Sequence, residues 1–84
     1  SRGLGDVYKR QDIIIDYKGK QFVIELKIWR GNEYNQRARQ QIFEYLDYYQ
    51  KEEGYLLSFN FNKNKETGIK KIEYKGKHII ETVV

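Results

Sequence analysis

Eighty-four residues make at most one small domain, and a chain of this size buries only about 60–65% of its unfolded surface. Apolar residues make up 39% and aromatics 15%, enough for a compact core, while the absence of cysteine excludes disulfides and thiolate metal sites. The formal net charge of +4 is a mild sign of an anionic partner, and no apolar run approaches a membrane span or a signal-peptide core, so the cytoplasm is the default compartment.

The opening stretch, Ser1 to Gln11, is basic and poor in apolar residues. It resembles a transposase-based sequencing adapter translated in frame, and is set apart from the fold on that ground. The other reading is a genuine basic arm. Native sequence is then expected to begin at Asp12, giving a segment at 1–11 and a partial domain at 12–84. The missing initiator methionine fits a chain truncated on its N-terminal side. From Asp12 onward, 13 basic residues face 11 acidic ones, so little of the positive charge is left to argue from.

Asp12 to Tyr17 is rich in isoleucine and reads as a strand, followed by a tight turn at Lys18-Gly19. Gln21 to Trp29 alternates cleanly, with Phe22, Ile24, Leu26 and Ile28 on one face and Gln21, Val23, Glu25 and Lys27 on the other. Arg30 to Tyr34 reads as a loop. From Asn35 to about Lys51, Ala38, Ile42, Tyr45, Leu46 and Tyr49 fall at the spacing of an amphipathic helix. Gly54 is expected as its left-handed C-terminal cap. Tyr55 to Phe61 reads as a buried strand, Asn62 to Gly68 as a polar loop, and Ile69 to Val84 as a second hairpin. The order is β-β-α-β-β-β, an α+β class.

A two-residue loop at Lys18-Gly19 pairs Ile13 with Ile24 and Ile15 with Phe22, one coherent apolar face. A one-residue slip would spoil that face. The same register sets Asp12 opposite Glu25, with Cβ atoms about 4.5–5.5 Å apart, where like charges repel. The second hairpin provides a contrast: it pairs Lys70 with Glu81 and Glu73 with His78. Opposed carboxylates make sense around a hard divalent cation, which takes oxygen ligands. Lys27, two residues beyond Glu25, shares its face and can stabilise charge on a phosphate. The same alternation also describes a strand with Glu25 and Lys27 simply facing water. The decoys Asp16-Tyr17-Lys18 and Glu73-Tyr74-Lys75 run straight into turns.

Asp12, then Glu25-Leu26-Lys27 within an apolar strand, resembles the PD-(D/E)XK nuclease superfamily. The surrounding "VIELKIWRG", "EYNQRARQQIFEYLDYY" and "EGYLLSFNF" are similar to the nuclease-like domain found C-terminal to AAA-type ATPase domains in bacterial proteins. The resemblance implies a restriction-endonuclease-like core, a central mixed sheet with a flanking helix. It implies Asp12, Glu25 and the Leu26 carbonyl as ligands of Mg2+ or Mn2+, with Lys27 as catalytic lysine. Gln41 and Tyr45 match a Gln-x-x-x-Tyr element, their spacing placing both on one helix face; read without it, Tyr45 is core and Gln41 surface. Trp29-Arg30-Gly31 either contacts a phosphate or closes the strand. His78 reads as an ordinary strand residue.

The implied activity is magnesium-dependent hydrolysis of nucleic-acid phosphodiester bonds, with DNA placed before RNA and an upstream ATPase domain as partner in cis. The alternative is a catalytically silent module of the same fold that binds nucleic acid or a partner. A further alternative is a purely structural α+β interaction domain. Because the family core opens with a helix and a strand that are missing here, one sheet edge and part of one face are expected to be uncovered.

Overall fold

The computed structural model describes residues 13–84. Two hairpins form its outer parts. In the first, β1 (Ile13–Tyr17) pairs antiparallel with β2 (Lys20–Ile28), and Ile13 faces Ile24 while Ile15 faces Phe22, as the apolar pattern requires. Asp12 lies outside the described residues. The turn places Lys18 at φ 50° and Gly19 at φ 78°, the positive pair that a two-residue loop needs to follow the strand twist. In the second, β4 (Gly68–Tyr74) pairs with β5 (Lys77–Val83), and Lys75 and Gly76 repeat those turn angles.

Between the hairpins lie α1 (Asn32–Tyr48) and β3 (Glu53–Phe59). β3 is parallel to both β2 and β5, giving one mixed sheet in the order β1-β2-β3-β5-β4. The helix therefore serves as the crossover between two parallel neighbours, the connection that such strands require.

The helix starts and stops about three residues before the position its periodicity suggests. Gly31, at φ 103°, caps its N-terminus without a side-chain bond, and the Asn35 amide donates to the Gly31 carbonyl at 3.1 Å. At the other end Lys51 N donates to Leu46 O at 2.7 Å and Gln50 N to Asp47 O at 3.2 Å. With Gln50 at φ 55°, this is a Schellman closure. The cap expected at Gly54 is thus at Gln50, and Gly54 belongs to β3. β3 likewise ends at Phe59 rather than Phe61, because the Asn60 amide turns to the Val84 carbonyl at 2.7 Å.

The core is one-sided. Val23, Leu56 and Ile79 from the sheet meet Ala38, Ile42, Phe43, Tyr45 and Leu46 from α1. Full burial of a side chain such as Leu46 or Ile42 contributes about 1.5–3 kcal/mol. In-register pairing puts Val23, Gly54, Ile79 and Ile72 in one row and Glu25, Leu56, Glu81 and Lys70 in the next. This is the face that α1 covers. The opposite face carries Ile13, Ile15, Ile24, Ile28, Leu57, Phe59 and Ile80, and no described helix lies on it. Among the described residues, that face is left uncovered.

Candidate active site

Alternation along β2 turns Val23, Glu25 and Lys27 toward α1. Glu25 is 8% exposed, so the reading in which it faces water does not hold. Its Oε2 lies 3.0 Å from Lys27 Nζ. Two residues along a strand put side chains on the same face, and here burial brings the ammonium onto the carboxylate. Leu26 falls between them with its side chain on the uncovered face, paired with Leu57 of β3.

Beside Lys27, a cleft of about 470 Å³ runs along α1, lined by Tyr34, Arg37, Ala38, Gln40, Gln41 and Glu44. Gln41 is exposed there, next to Lys27. Tyr45, one turn further on, is buried in the core with its ring 4.7 Å from that of Tyr49. Gln41 and Tyr45 lie one turn apart on α1, Gln41 exposed at the cleft and Tyr45 packed inward. Burial raises the Tyr45 phenol above its ordinary 10.0, with a smaller contribution from Tyr49.

Trp29, Arg30 and Gly31 take separate roles. The Trp29 amide donates to the Phe59 carbonyl at 2.8 Å and continues the β2–β3 ladder. The Arg30 guanidinium lies 5.8 Å from the Tyr34 ring and that of Arg37 lies 5.9 Å from it. Gly31 is the helix cap. His78 stands opposite Glu73 as the hairpin register requires, and its Nε2 lies 3.3 Å from Glu53 Oε2, which also accepts from the Tyr55 hydroxyl at 2.9 Å.

Sequence reasoning missed a polar group on the other side of α1. Glu81, paired with Lys70 in the hairpin ladder, is 1% exposed, and its Oε1 accepts from Arg39 Nη2 at 2.9 Å and from Nε at 3.1 Å. Beside it, the Ser58 hydroxyl donates to Asn35 Oδ1 at 3.1 Å, with both residues buried. The available signal was parity: Glu81 alternates with the buried Ile79, and Asn35 and Arg39 lie one helical turn apart.

A sequence profile of the PD-(D/E)XK nuclease superfamily matches residues 3–81. The chain belongs to the PD-(D/E)XK nuclease superfamily. No curated protein and no solved structure matches it significantly. The mixed five-stranded sheet with one helix is consistent with the restriction-endonuclease-like fold of that superfamily. Members of this superfamily generally use divalent metals. Among the described residues, no group of three histidine, cysteine or acidic side chains gathers to hold a metal ion, and no helix is long and apolar enough to cross a membrane.

Proposed function

We propose that the domain hydrolyses nucleic-acid phosphodiester bonds with the help of Mg2+ or Mn2+, at a site built on Glu25 and Lys27. The observation that carries this reading is the pairing of buried Glu25 with half-buried Lys27 at 3.0 Å, with Lys27 opening onto the cleft that Gln41 lines. An ammonium drawn onto a carboxylate beneath a helix, beside open space, is a preorganised charge arrangement of the kind catalysis uses.

The donor set suits a hard cation. Glu25 supplies one carboxylate, the Leu26 carbonyl a neutral oxygen, and Asp12 a second carboxylate, assigned from the sequence alone because it lies outside the described residues. Bound there, the ion would polarise a phosphoryl oxygen and lower the pKa of a water. Lys27 donates to a non-bridging phosphate oxygen and balances the charge that develops on it. Gln41 holds the same phosphate, or Lys27 itself, from the helix side. Tyr45 acts as a positioning residue, packed one turn beyond Gln41. DNA is the proposed substrate ahead of RNA, and an ATPase domain in the same chain the proposed partner.

The test uses the whole protein with end-labelled DNA and Mg2+. Glu25→Gln and Lys27→Met should each lower cleavage at least 100-fold, the scale on which a charged transition-state contact acts. Calorimetry should show Mn2+ binding lost in Glu25→Gln and kept in Lys27→Met. Undiminished cleavage by Glu25→Gln would overturn the assignment. Salt-sensitive DNA binding without any cleavage or metal uptake would favour the silent binding module instead.

A further inference from the structure

On the flank of α1 away from the Lys27 cleft, the C-terminal ends of the parallel strands border a second cavity of about 420 Å³. Its wall includes Trp29, Arg39, Asn60, Lys65, Lys70 and Glu81, with further asparagines at 62 and 64. The volume lies within the range of small-ligand sites, and the crevice outside the carboxyl ends of parallel strands is where α/β sheets commonly bind ligands.

The wall is built rather than incidental. Arg39 is held by two bonds to a single oxygen of Glu81, which fixes its planar fork and leaves other N–H groups for a ligand. Glu81 Oε2 is buried and has no hydrogen-bond partner among the described residues. A carboxylate oxygen in that state calls for a donor, such as the amine of a bound base or a water. Asn60 is also buried: its Oδ1 accepts from the Asn62 amide at 2.9 Å, and its carbonyl accepts from Lys65 Nζ at 3.0 Å. The loop following β3 is thereby folded over the cavity with Lys65 at its foot.

The chemistry of this wall selects a ligand. Arg39, Lys65 and Lys70 set three cations against Glu66 and Glu81, and Arg39 already neutralises Glu81. The remaining positive charge suits a phosphate. Asparagine amides offer a donor and an acceptor side by side, the pair that an adenine edge matches. Trp29 provides a flat surface on which a base can stack.

We propose that this cavity is a nucleotide-binding site, its phosphate held by Lys65 and Lys70 and its base set against Trp29, the asparagine amides and the unsatisfied Glu81 oxygen. It stands on residues separate from Glu25 and Lys27 and does not depend on cleavage there.

Trp29 is the only tryptophan in the chain, so its fluorescence reports on the cavity directly. The experiment titrates the whole chain with deoxyadenosine 5′-monophosphate, a short oligodeoxyadenylate and inorganic phosphate, all in EDTA. Saturable quenching by the nucleotide is expected, weakened about tenfold in Lys70→Ala and unchanged in Lys71→Ala, an exposed neighbour that points to the other face of β4 and lines neither cleft. Lys70 is exposed, so this variant keeps the fold; Arg39→Ala would strand the buried Glu81 charge and is avoided. Tighter binding of the oligonucleotide supports a strand as the ligand, and tighter binding of the mononucleotide supports a free nucleotide. Absent quenching, equal weakening in Lys71→Ala, or inorganic phosphate binding as tightly as the nucleotide would each overturn the proposal.

Discussion

Tyr45 shows how one residue serves packing and, in the proposed mechanism, position. Its ring is buried against the core while its hydroxyl remains an ionisable group, and burial raises its pKa above 10.0. Tyr55 is also raised, first by burial and then by its hydrogen bond to, and the charge of, Glu53. In both cases the folded state favours the neutral phenol. The unfolded phenols ionise first as pH rises past about 10, so this contribution to stability is complete below that pH. It is lost as pH climbs from there through the folded pKa values. Denaturant midpoints should therefore fall in alkali, and Tyr45→Phe, which keeps the ring, should make the fall shallower. An unchanged alkaline slope in Tyr45→Phe would show that its hydroxyl is not the group responsible. The residues that sequence alone placed well were those fixed by a local turn, such as the Ile13–Ile24 pair. The hairpin placed Glu81 opposite Lys70, but its ion pair was missed because Arg39 comes from an element 42 positions away in the chain, and no local pattern encodes that distance.

Among the elements, β1, β2 and the β4–β5 hairpin were legible because each Lys-Gly turn fixes the register of its flanking strands. The parallel pairing of β3 with β2 and β5 was not, since no turn joins those strands. Nor could alternation decide which face of β2 the helix covers. It separates two faces without ranking them, and the more apolar one is left outside. Gly54 helps explain the choice. A Cβ on Gly54 would lie 2.8 Å from Ile42 Cγ2 and 3.4 Å from Leu46 Cδ1, so the missing side chain lets α1 settle on β3. The left-handed residue that ends the helix is Gln50, a conformation that costs a side chain about 1–2 kcal/mol. Two opposite outcomes follow for glycine exchange. Gly54→Ala should destabilise by about 1–3 kcal/mol through overpacking, and Gln50→Gly should stabilise by up to about 1 kcal/mol. Chemical denaturation of the two variants measures both, and a neutral Gly54→Ala would mean that the helix shifts freely over the sheet.

At the scale of the whole molecule, one sheet face is packed and the other is not covered by any of the described residues. Ile28 is 49% exposed and Phe59 37%, and Ile13 and Ile15 stand beside them on the same uncovered face. Contiguous apolar surface of this kind marks either an interaction site or a liability to aggregate. The edges differ in their protection. β4 carries Lys70 and Lys71, charges of the kind that discourage edge-to-edge pairing, whereas β1 presents three consecutive isoleucines. For residues 12–84 expressed alone, these features lead to concentration-dependent association, visible by light scattering, and to binding of an apolar dye. Ile28→Ser combined with Phe59→Ser should reduce both signals. The pair should cost little stability, because both side chains lie outside the core that α1 forms with Val23, Leu56 and Ile79. A monomer at high concentration with a sharp cooperative melt and no dye binding would show that the uncovered face is tolerated by water, and that the one-sided core is sufficient on its own.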